Sequence, residues 1–200
     1  MRRQMLLYYI RHGETDWNRE GRLQGQRDIP INTNGRAQAR RCGEVLRELF
    51  ARAAVGAARL DFVASPLGRA RETMQLARGA LGLDPMSYRT DARLAEVSFG
   101  AWEGCTTEEL RAHAPDAVAA RESDKWNFTP PQAESYFAMS LRVHDWYRSL
   151  MRDTVAVAHG GTFRGLMVQL GIAPAAEAPF RDVAQGVVYV IEPGRVHRHG

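Results

Sequence analysis

Runs of consecutive apolar residues mark the predicted strands of this chain. Three such runs cover residues 5–10, 154–158 and 186–191, and a more mixed segment at 60–65 ends at Pro66. Continuous rather than alternating apolar residues are typical of strands that are buried on both faces of a parallel sheet. The pattern therefore predicts four strands in the interior of the protein.

Between these strands, apolar residues recur at helical spacing. This spacing predicts helices over residues 33–50, 68–81, 134–150 and 162–170, while the segment 82–131 and the basic tail after residue 191 look irregular. Strands that alternate with helices predict an α/β fold, a three-layer sandwich with a mainly parallel central sheet and helices on both faces. No repeat or linker divides the sequence, so we expect a single domain over residues 1–200.

Composition and charge narrow the class of protein. The formal net charge of +4 comes without a dense basic stripe, which argues against a nucleic-acid partner. Cys42 and Cys105 lie in unrelated contexts, as in proteins of reducing compartments. The first apolar run is too short for a signal-peptide core, and no run approaches the ~20 apolar residues of a membrane span. We therefore expect a cytoplasmic protein with no membrane partner.

Two predicted strands are followed by the same dipeptide, His12-Gly13 and His159-Gly160. Ligands of α/β proteins bind beyond the carboxyl ends of the strands, so both histidines are expected at one site. One such pair could arise by chance in a chain with six histidines and 18 glycines. Two pairs at equivalent strand ends favour a functional role.

The segment Arg11-His12-Gly13-Glu14-Thr15 combines groups that suit phosphoryl transfer. A neutral imidazole has one nucleophilic nitrogen when the other nitrogen carries the proton. An adjacent arginine can spread the charge of a phosphate through its bidentate fork, and glycine lets the backbone approach closely. Lys125 is the only lysine, so an arginine carries information here only when its spacing to other motifs is right.

Together with further motifs, this segment resembles the histidine phosphatase (phosphoglycerate mutase-like) superfamily. The matching segments follow the family's order and cover most of the chain: 11–15, Trp17-Asn18, 21–25, Gly35, 65–70, 94–96, 99–104, 130–135, His159-Gly160-Gly161 and Arg164. The triplet Arg-His-Gly alone is a weak signal, whereas the ordered set is specific.

The resemblance implies a role for each matching residue. His12 would be the nucleophile that becomes phosphohistidine, and Glu96 would protonate the leaving oxygen and then deprotonate the attacking water. The catalytic set would also include Arg11, Arg69 and His159. The phosphate-binding residues would be Arg11, Asn18, Gln24, Arg69, His159 and the backbone amide of Gly160. Two-step transfer through an imidazole uses fixed cations in place of a metal, so for a phosphatase of this kind we predict neither a metal nor an organic cofactor.

Some of these residues are weak signals when taken singly. Asn18 could shape a turn, Gln24 stands where other family members carry other polar groups, and most glutamates like Glu96 are solvated surface charges. As an ordered set, they favour function. The aromatic residues that could line the substrate entrance are assigned to the core instead: Trp102, Trp126, Phe128 and Tyr136. The remaining histidines do not predict a metal site: His113, His144, His197 and His199.

The predicted activity is that of a phosphatase, a phosphoric monoester hydrolase of the histidine acid type that acts on a small phosphorylated metabolite. A cofactor-dependent phosphoglycerate mutase is the first alternative. Mutases of the family typically have a tyrosine three residues after the acid, where this chain has Phe99. They also have an Arg-Arg pair in the following insertion, and none lies between Glu96 and Pro130. This apparent loss of donors for a substrate carboxylate favours hydrolysis.

Two other interpretations have less support. A non-catalytic phosphate-binding protein of the same fold would be expected to lack His12, Glu96 or one of the arginines. The segment 105–111 has the C-x5-R spacing of cysteine phosphatases, but it lacks glycines and contains two glutamates that would repel phosphate. The sequence does not identify the physiological substrate, and both a monomer and a homodimer remain open.

Overall fold

A six-stranded sheet forms the centre of the computed structural model, which describes residues 5–200. Its strands are β1 (Leu7–Arg11), β2 (Asp61–Ala64), β3 (Arg89–Thr90), β4 (Thr154–Ala158), β5 (Val188–Glu192) and β6 (Arg195–His199). Their spatial order is β3-β2-β4-β1-β5-β6. The pairings from β3 through to β1 are parallel, and β5 and β6 add antiparallel pairings at one edge. The prediction of a mainly parallel sheet is confirmed.

Residues 5–200 contain seven α-helices. They are α1 (Asp16–Arg19), α2 (Thr33–Arg52), α3 (Gly68–Ala80), α4 (Thr107–His113), α5 (Pro115–Ser123), α6 (Tyr136–Arg148) and α7 (Gly160–Gln169). Two long helices begin at side-chain caps, where Asn32 accepts from the amide of Gly35 and Ser135 accepts from the amide of Ala138. No helix within residues 5–200 is long and apolar enough to cross a membrane.

Two hydrophobic cores lie on opposite faces of the sheet. On β1, Tyr8 and Ile10 pack in the core formed with α2 and α3, whereas Leu7 and Tyr9 pack in the core formed with α6 and α7. Successive side chains of a strand point to opposite faces, so a continuous apolar run serves both cores. The predicted three-layer sandwich with helices on both faces is confirmed.

The structure corrects two parts of the sequence prediction. The segment 82–131 is more regular than predicted, because it contains α4 and α5. Each of these short helices buries a single apolar residue, Leu110 in α4 and Val118 in α5, and therefore has little apolar periodicity. The C-terminal tail is also ordered, because residues 195–199 form β6 at the sheet edge, where charged residues are common in strands.

Candidate active site

His12 and His159 lie side by side at the carboxyl edge of the sheet. Strands β1 and β4 are parallel neighbours whose register pairs Arg11 with Ala158, so the residue after each strand leaves the sheet at the same level. The amide of His12 donates to the carbonyl oxygen of Ala158 at 2.9 Å, and the two imidazole centroids are 5.2 Å apart. Both side chains are buried. The structure thus brings together the two histidines that the sequence placed at strand ends.

The imidazole of His12 is held in one tautomer. Its Nδ1 is 2.8 Å from the carbonyl oxygen of Gly13, and a carbonyl can only accept, so Nδ1 carries the proton and Nε2 keeps a free lone pair. Burial, with the charges of Arg69 and Arg11, holds the pKa of His12 well below its ordinary value. His12 is therefore neutral at physiological pH, the state in which an imidazole can act as a nucleophile.

Glycine is required at residue 13 by close packing against the start of α2. A Cβ atom on Gly13 would lie 2.3 Å from the carbonyl oxygen of Gly35, a backbone atom that cannot move aside easily. The amide of Gly13 donates to the hydroxyl of Thr73 at 2.9 Å, which ties the loop to α3. The loop that contains His12 is thus fixed between two helices.

His159 is held from one side only. Its Nε2 is 2.7 Å from the Ser65 hydroxyl, which follows β2, whereas its Nδ1 is buried and has no partner among residues 5–200. The Ser65 hydroxyl oxygen also accepts from the amide of Leu67 at 3.4 Å, so its hydrogen is free to be donated to Nε2. The pKa of His159 is well below its ordinary value because of burial, with Arg69 and His12 adding to the effect.

Two arginines, the buried Arg69 and the partly buried Arg11, complete the inner part of the site. Arg69, on α3, donates to the carbonyl oxygens of Gly25 and Arg27 at 2.6 Å each. Arg11 donates to the carbonyl oxygen of Val183 at 2.7 Å. Burial lowers the pKa of both guanidinium groups. Backbone carbonyls therefore fix each arginine through its terminal nitrogens.

Buried polar atoms without a protein partner gather at this site. Within residues 5–200, four of the five such side-chain atoms are Arg11 Nε, Gln24 Oε1, Arg69 Nε and His159 Nδ1. Most buried polar groups in proteins are hydrogen-bonded, so a cluster of unpaired ones indicates a polar ligand. The guanidinium nitrogens among them are donors, which suits an anion.

Glu96 lies in the loop before α4 and lines the same cavity as His12. Its carboxylate accepts from the amides of Val97 at 2.9 Å, Gly161 at 3.1 Å and Thr162 at 3.2 Å. The last two amides belong to the first turn of α7 and would otherwise lack intrahelical acceptors. These three bonds fix the carboxylate at the start of α7.

The weaker sequence candidates also lie here. Asn18 uses its side-chain oxygen to accept from Gln185 at 2.9 Å, which leaves its NH2 group without a protein acceptor in the described chain. The amide of Gly160 likewise donates to no acceptor among the described residues. A Cβ on Gly160 would be 3.5 Å from Arg11 Nε and 3.4 Å from Arg164 Nη1, so both guanidinium groups lie close to the Cα side of this residue.

A cavity of about 180 Å³ is lined by most of these groups, but not by His159 or Gly160, and its lining includes residues that sequence reasoning missed. The sequence candidates in its lining are Arg11, His12, Asn18, Gln24, Arg69 and Glu96, and the unassigned polar residues are Arg22, Arg121, Lys125, Tyr136 and Arg164. Tyr136 is buried, as predicted, but it also lines the cavity. Trp102 and Trp126 belong to the core.

The missed cations correct one inference from the sequence. The segment after Glu96 lacks an Arg-Arg pair, and from this we expected no cations for a substrate carboxylate. Arg121 and Lys125 nevertheless line the cavity from this segment. Their spacing matches no motif, whereas Arg164 was part of the matching set without an assigned role. Within residues 5–200, no group of three or more His, Cys, Asp or Glu side chains is placed to hold a metal ion.

Comparison with known proteins gives consistent matches over most of the chain. The family model described as histidine phosphatase superfamily (branch 1) matches residues 7–198. A glucosyl-3-phosphoglycerate phosphatase of Mycobacterium tuberculosis is 33% identical over 187 residues, which cover 86% of this chain and 78% of that protein. A protein of Klebsiella pneumoniae named "Probable phosphoglycerate mutase GpmB" is 35% identical over 176 residues, covering 84% of this chain and 70% of that one.

Solved structures agree with these sequence matches. The structure of a mycobacterial glucosyl-3-phosphoglycerate phosphatase aligns with a TM-score of 0.78 at 30% identity. The alignment covers 94% of this chain and 90% of that one.

Proposed function

Because the chain belongs to the histidine phosphatase superfamily, branch 1, we propose that it hydrolyses a small phosphomonoester through a phosphohistidine on His12. The observation that carries this proposal is the convergence of a free imidazole nitrogen with unpaired buried donors. A nucleophile surrounded by cations and donors is the arrangement that transfer of a phosphoryl dianion requires.

In the first step, His12 Nε2 attacks phosphorus and the bond from phosphorus to the leaving oxygen breaks. Arg11, Arg69 and His159 stabilise the charge on the three equatorial oxygens. Glu96, protonated at this stage, gives its proton to the leaving oxygen, so that the alcohol departs neutral. The products of this step are the free alcohol, phospho-His12 and the Glu96 carboxylate.

In the second step, water attacks the phosphorus of phospho-His12. The Glu96 carboxylate takes a proton from the water, and the bond from phosphorus to Nε2 breaks. Inorganic phosphate leaves, His12 returns to the neutral tautomer that Gly13 holds, and Glu96 is protonated again. Every charge change is met by fixed cations or by Glu96, so no metal ion or organic cofactor is needed.

A phosphoglycerate mutase is the second candidate, and one observation favours it. The extra cations Arg121 and Lys125 line the cavity, where they could bind the carboxylate of a phosphoglycerate. Hydrolysis remains our proposal because Phe99, which has no hydroxyl, also lines this cavity where mutases typically have tyrosine. The mycobacterial relative named a phosphatase supports the same choice.

The test is phosphate release from p-nitrophenyl phosphate in the presence of EDTA. We expect the wild-type protein to be active, His12→Ala to lose about 10³-fold or more in kcat, and His197→Ala, an exposed histidine on β6, to keep full activity. Loss of wild-type activity in EDTA would contradict the metal-free mechanism.

The same proteins are then incubated with 3-phosphoglycerate and a trace of 2,3-bisphosphoglycerate. Isomerisation of the phosphoglycerate would favour the mutase. Absence of both activities, with tight binding of phosphate, would favour the non-catalytic binding protein.

A further inference from the structure

One arginine of α6 binds the segment of the chain that contains Glu96. Arg142 Nη1 donates to the carbonyl oxygens of Arg93 at 2.6 Å and of Ala95 at 2.7 Å. Its Nη2 donates to the carbonyl oxygen of Glu96 itself at 3.1 Å. We call residues 93–98 the acid segment, because they include the proposed general acid. A single guanidinium group therefore binds three backbone carbonyls of the acid segment.

Glu134 holds this guanidinium group in turn. Its Oε1 accepts from Arg142 Nη2 at 2.6 Å, and its Oε2 accepts from Arg142 Nε at 3.2 Å. Oε1 also accepts from the amide of Ser98 at 3.2 Å, which ties the end of the acid segment to the same pair. The two side chains are partly buried, with exposed fractions of 24% and 23%. A bidentate pair of this kind fixes the orientation of the guanidinium group as well as its charge.

All the N–H donors of Arg142 are used in these contacts. A guanidinium group has five of them, and Arg142 makes two bonds with Glu134 and three with carbonyl oxygens. A simple ion pair looks different, as in Arg36, whose Nε donates to Glu72 at 2.6 Å across α2 and α3. The contacts of Arg142 fix a length of backbone, which an ion pair alone does not do.

The acid segment has little regular structure of its own. It begins in a short 3₁₀ turn over Ala92–Leu94, and residues 95–98 belong to no helix or strand. Leu94 and Val97 are buried in the core that includes α6 and α7, so the segment is anchored on both sides of Glu96. The direction in which the Glu96 side chain leaves the backbone then depends on the carbonyls that Arg142 binds.

Glu96 is thus held at two ends. Its carboxylate accepts from the amides of Val97, Gly161 and Thr162, and its backbone is bound by Arg142. Misplacement of a catalytic group by ~1 Å can cost about 10²-fold in rate, so both ends matter to a general acid. Arg142 does not line the cavity, so it can affect the reaction only through the residues that it holds.

We propose that Arg142, oriented by Glu134, is a positioning residue for the general acid and acts on the reaction through Glu96. This inference rests on the proposed phosphomonoesterase function. Removal of the guanidinium group would free three carbonyls of the acid segment but would leave the amides that bind the carboxylate in place. We therefore expect a partial loss of proton transfer.

Two esters with different leaving groups test the proposal. Arg142→Gln should lower kcat/KM about tenfold for phenyl phosphate, a poor leaving group, and less than about threefold for p-nitrophenyl phosphate. The inhibition constant of inorganic phosphate should stay within about twofold of the wild-type value, because no phosphate ligand is removed. Equal losses for the two esters would indicate a structural role alone and would overturn the proposal.

A double-mutant cycle identifies the group through which Arg142 acts. Glu96→Gln already removes the proton, so the position of this side chain should matter little afterwards. Addition of Arg142→Gln to Glu96→Gln should therefore lower kcat/KM for phenyl phosphate by less than about twofold. A further tenfold loss in that background would show that Arg142 acts through another group, which would overturn the proposal.

Arg142→Lys separates the shape of the guanidinium group from its charge. Burial lowers the pKa of His159, and the charge of Arg69 and, further down, that of Arg142 add to this shift, so a charge effect needs its own control. Lysine keeps the charge, but its ammonium group cannot bind three carbonyls and Glu134 in the same geometry. The selective loss for phenyl phosphate should persist in Arg142→Lys, and full recovery would overturn the proposal.

The matched control is Arg36→Gln, which breaks the ion pair between α2 and α3. It should leave kcat/KM for both esters unchanged. Thermal unfolding of all variants reports whether each one is folded, and Arg142→Lys keeps the proposal testable if Arg142→Gln does not fold.

Hydrogen exchange of single amides, measured by NMR, keeps the positioning role separate from the proposed chemistry. The amides of Gly161 and Thr162 donate to the Glu96 carboxylate, so their exchange should become about tenfold faster in Arg142→Gln and stay unchanged in Arg36→Gln. Faster exchange in a protein that hydrolyses no ester would retain the positioning of Glu96 and refute the phosphatase. A His12-dependent phosphatase in which Arg142→Gln changes neither the exchange nor the leaving-group dependence would do the reverse.

Discussion

Substitution of Gly161 by alanine should displace the proposed general acid without removing it. A Cβ atom at residue 161 would lie 2.3 Å from Glu96 Oε1 and 3.1 Å from Glu96 Cδ. Opening the shorter contact to an ordinary ~3.5 Å requires the carboxylate to move by roughly 1.2 Å. The same movement would strain its hydrogen bonds with the amides of Gly161 and Thr162.

The expected magnitude follows from this displacement. Misplacing a catalytic group by ~1 Å can cost about 10²-fold, or roughly 2.7 kcal/mol of activation free energy. A proton from Glu96 matters most when the leaving oxygen is a poor leaving group. We therefore expect kcat/KM of Gly161→Ala to fall about 100-fold for phenyl phosphate and less than about tenfold for p-nitrophenyl phosphate.

The assay is a series of aryl phosphates whose leaving groups differ in pKa. Gly161→Ala should steepen the dependence of kcat/KM on leaving-group pKa, and Glu96→Gln should steepen it further. Gly79→Ala is the matched control, because a Cβ at this position of α3 meets only Pro85 Cγ at 3.8 Å. Alanine favours helix by up to ~1 kcal/mol over glycine, so thermal unfolding should report no loss of fold in the control.

Two results would refute this account of Glu96. Equal losses of kcat/KM for good and poor leaving groups would show that Glu96 does not transfer a proton to the leaving oxygen. Full activity of Gly161→Ala would mean that the carboxylate can move by more than an ångström without consequence, which is incompatible with a positioned acid.

The remaining predictions concern the two histidines. Ser65→Ala should lower kcat/KM by about tenfold and move the acidic limb of its pH profile to higher pH, because the hydrogen bond from the Ser65 hydroxyl favours neutral His159. Ser65→Thr keeps the hydroxyl and should restore both kcat/KM and the position of the acidic limb. An acidic limb that does not move in Ser65→Ala would mean that Ser65 contributes packing alone. Acid should also destabilise the fold, because the folded-state pKa values of His12 and His159 lie well below the ~6.5 of the unfolded chain. Below pH ~6.5 the unfolded state binds protons that the folded state does not, so the free energy of unfolding should fall by up to ~2.7 kcal/mol per pH unit from the two groups. Urea unfolding between pH 5 and 7 should show a flatter dependence for a His12→Gln/His159→Gln variant, and parallel curves would contradict the assignment.

The interior of the fold could be predicted from the sequence because its strands serve two cores at once. β1 and β4 pack on both faces, which forces continuous apolar runs that are easy to recognise. β3 has two residues and β6 lies at an edge with charged side chains, so neither has such a run. The helices α4 and α5 each bury one apolar residue, so the sequence shows little apolar periodicity there as well.

The inner site could be predicted for a related reason. His12 and His159 follow buried strands, so the sheet itself sets where they lie, and their motifs occur in a recognisable order. The hydrogen bond between Ser65 and His159 was not predicted, although Ser65 begins one of the matching segments. Only the folded chain shows that the two side chains are in contact. The positions of Arg121 and Lys125 depend on how the segment after Glu96 folds back over the cavity, and no spacing in the sequence encodes that path.

Helix α7 connects the two halves of the proposed site. The amides of Gly161 and Thr162 in its first turn hold the Glu96 carboxylate, and a Cβ built on Gly160 would contact Arg11. One turn further along, Arg164 lines the same cavity as Arg121 and Lys125, and its Nε donates to the carbonyl oxygen of Arg181. Since α7 is a rigid element, a substrate group that binds Arg164 would also fix the distance of the substrate from Glu96. Substitution of Arg164 by glutamine should therefore lower kcat as well as raise KM, because the bound group helps to place the leaving oxygen where Glu96 can protonate it.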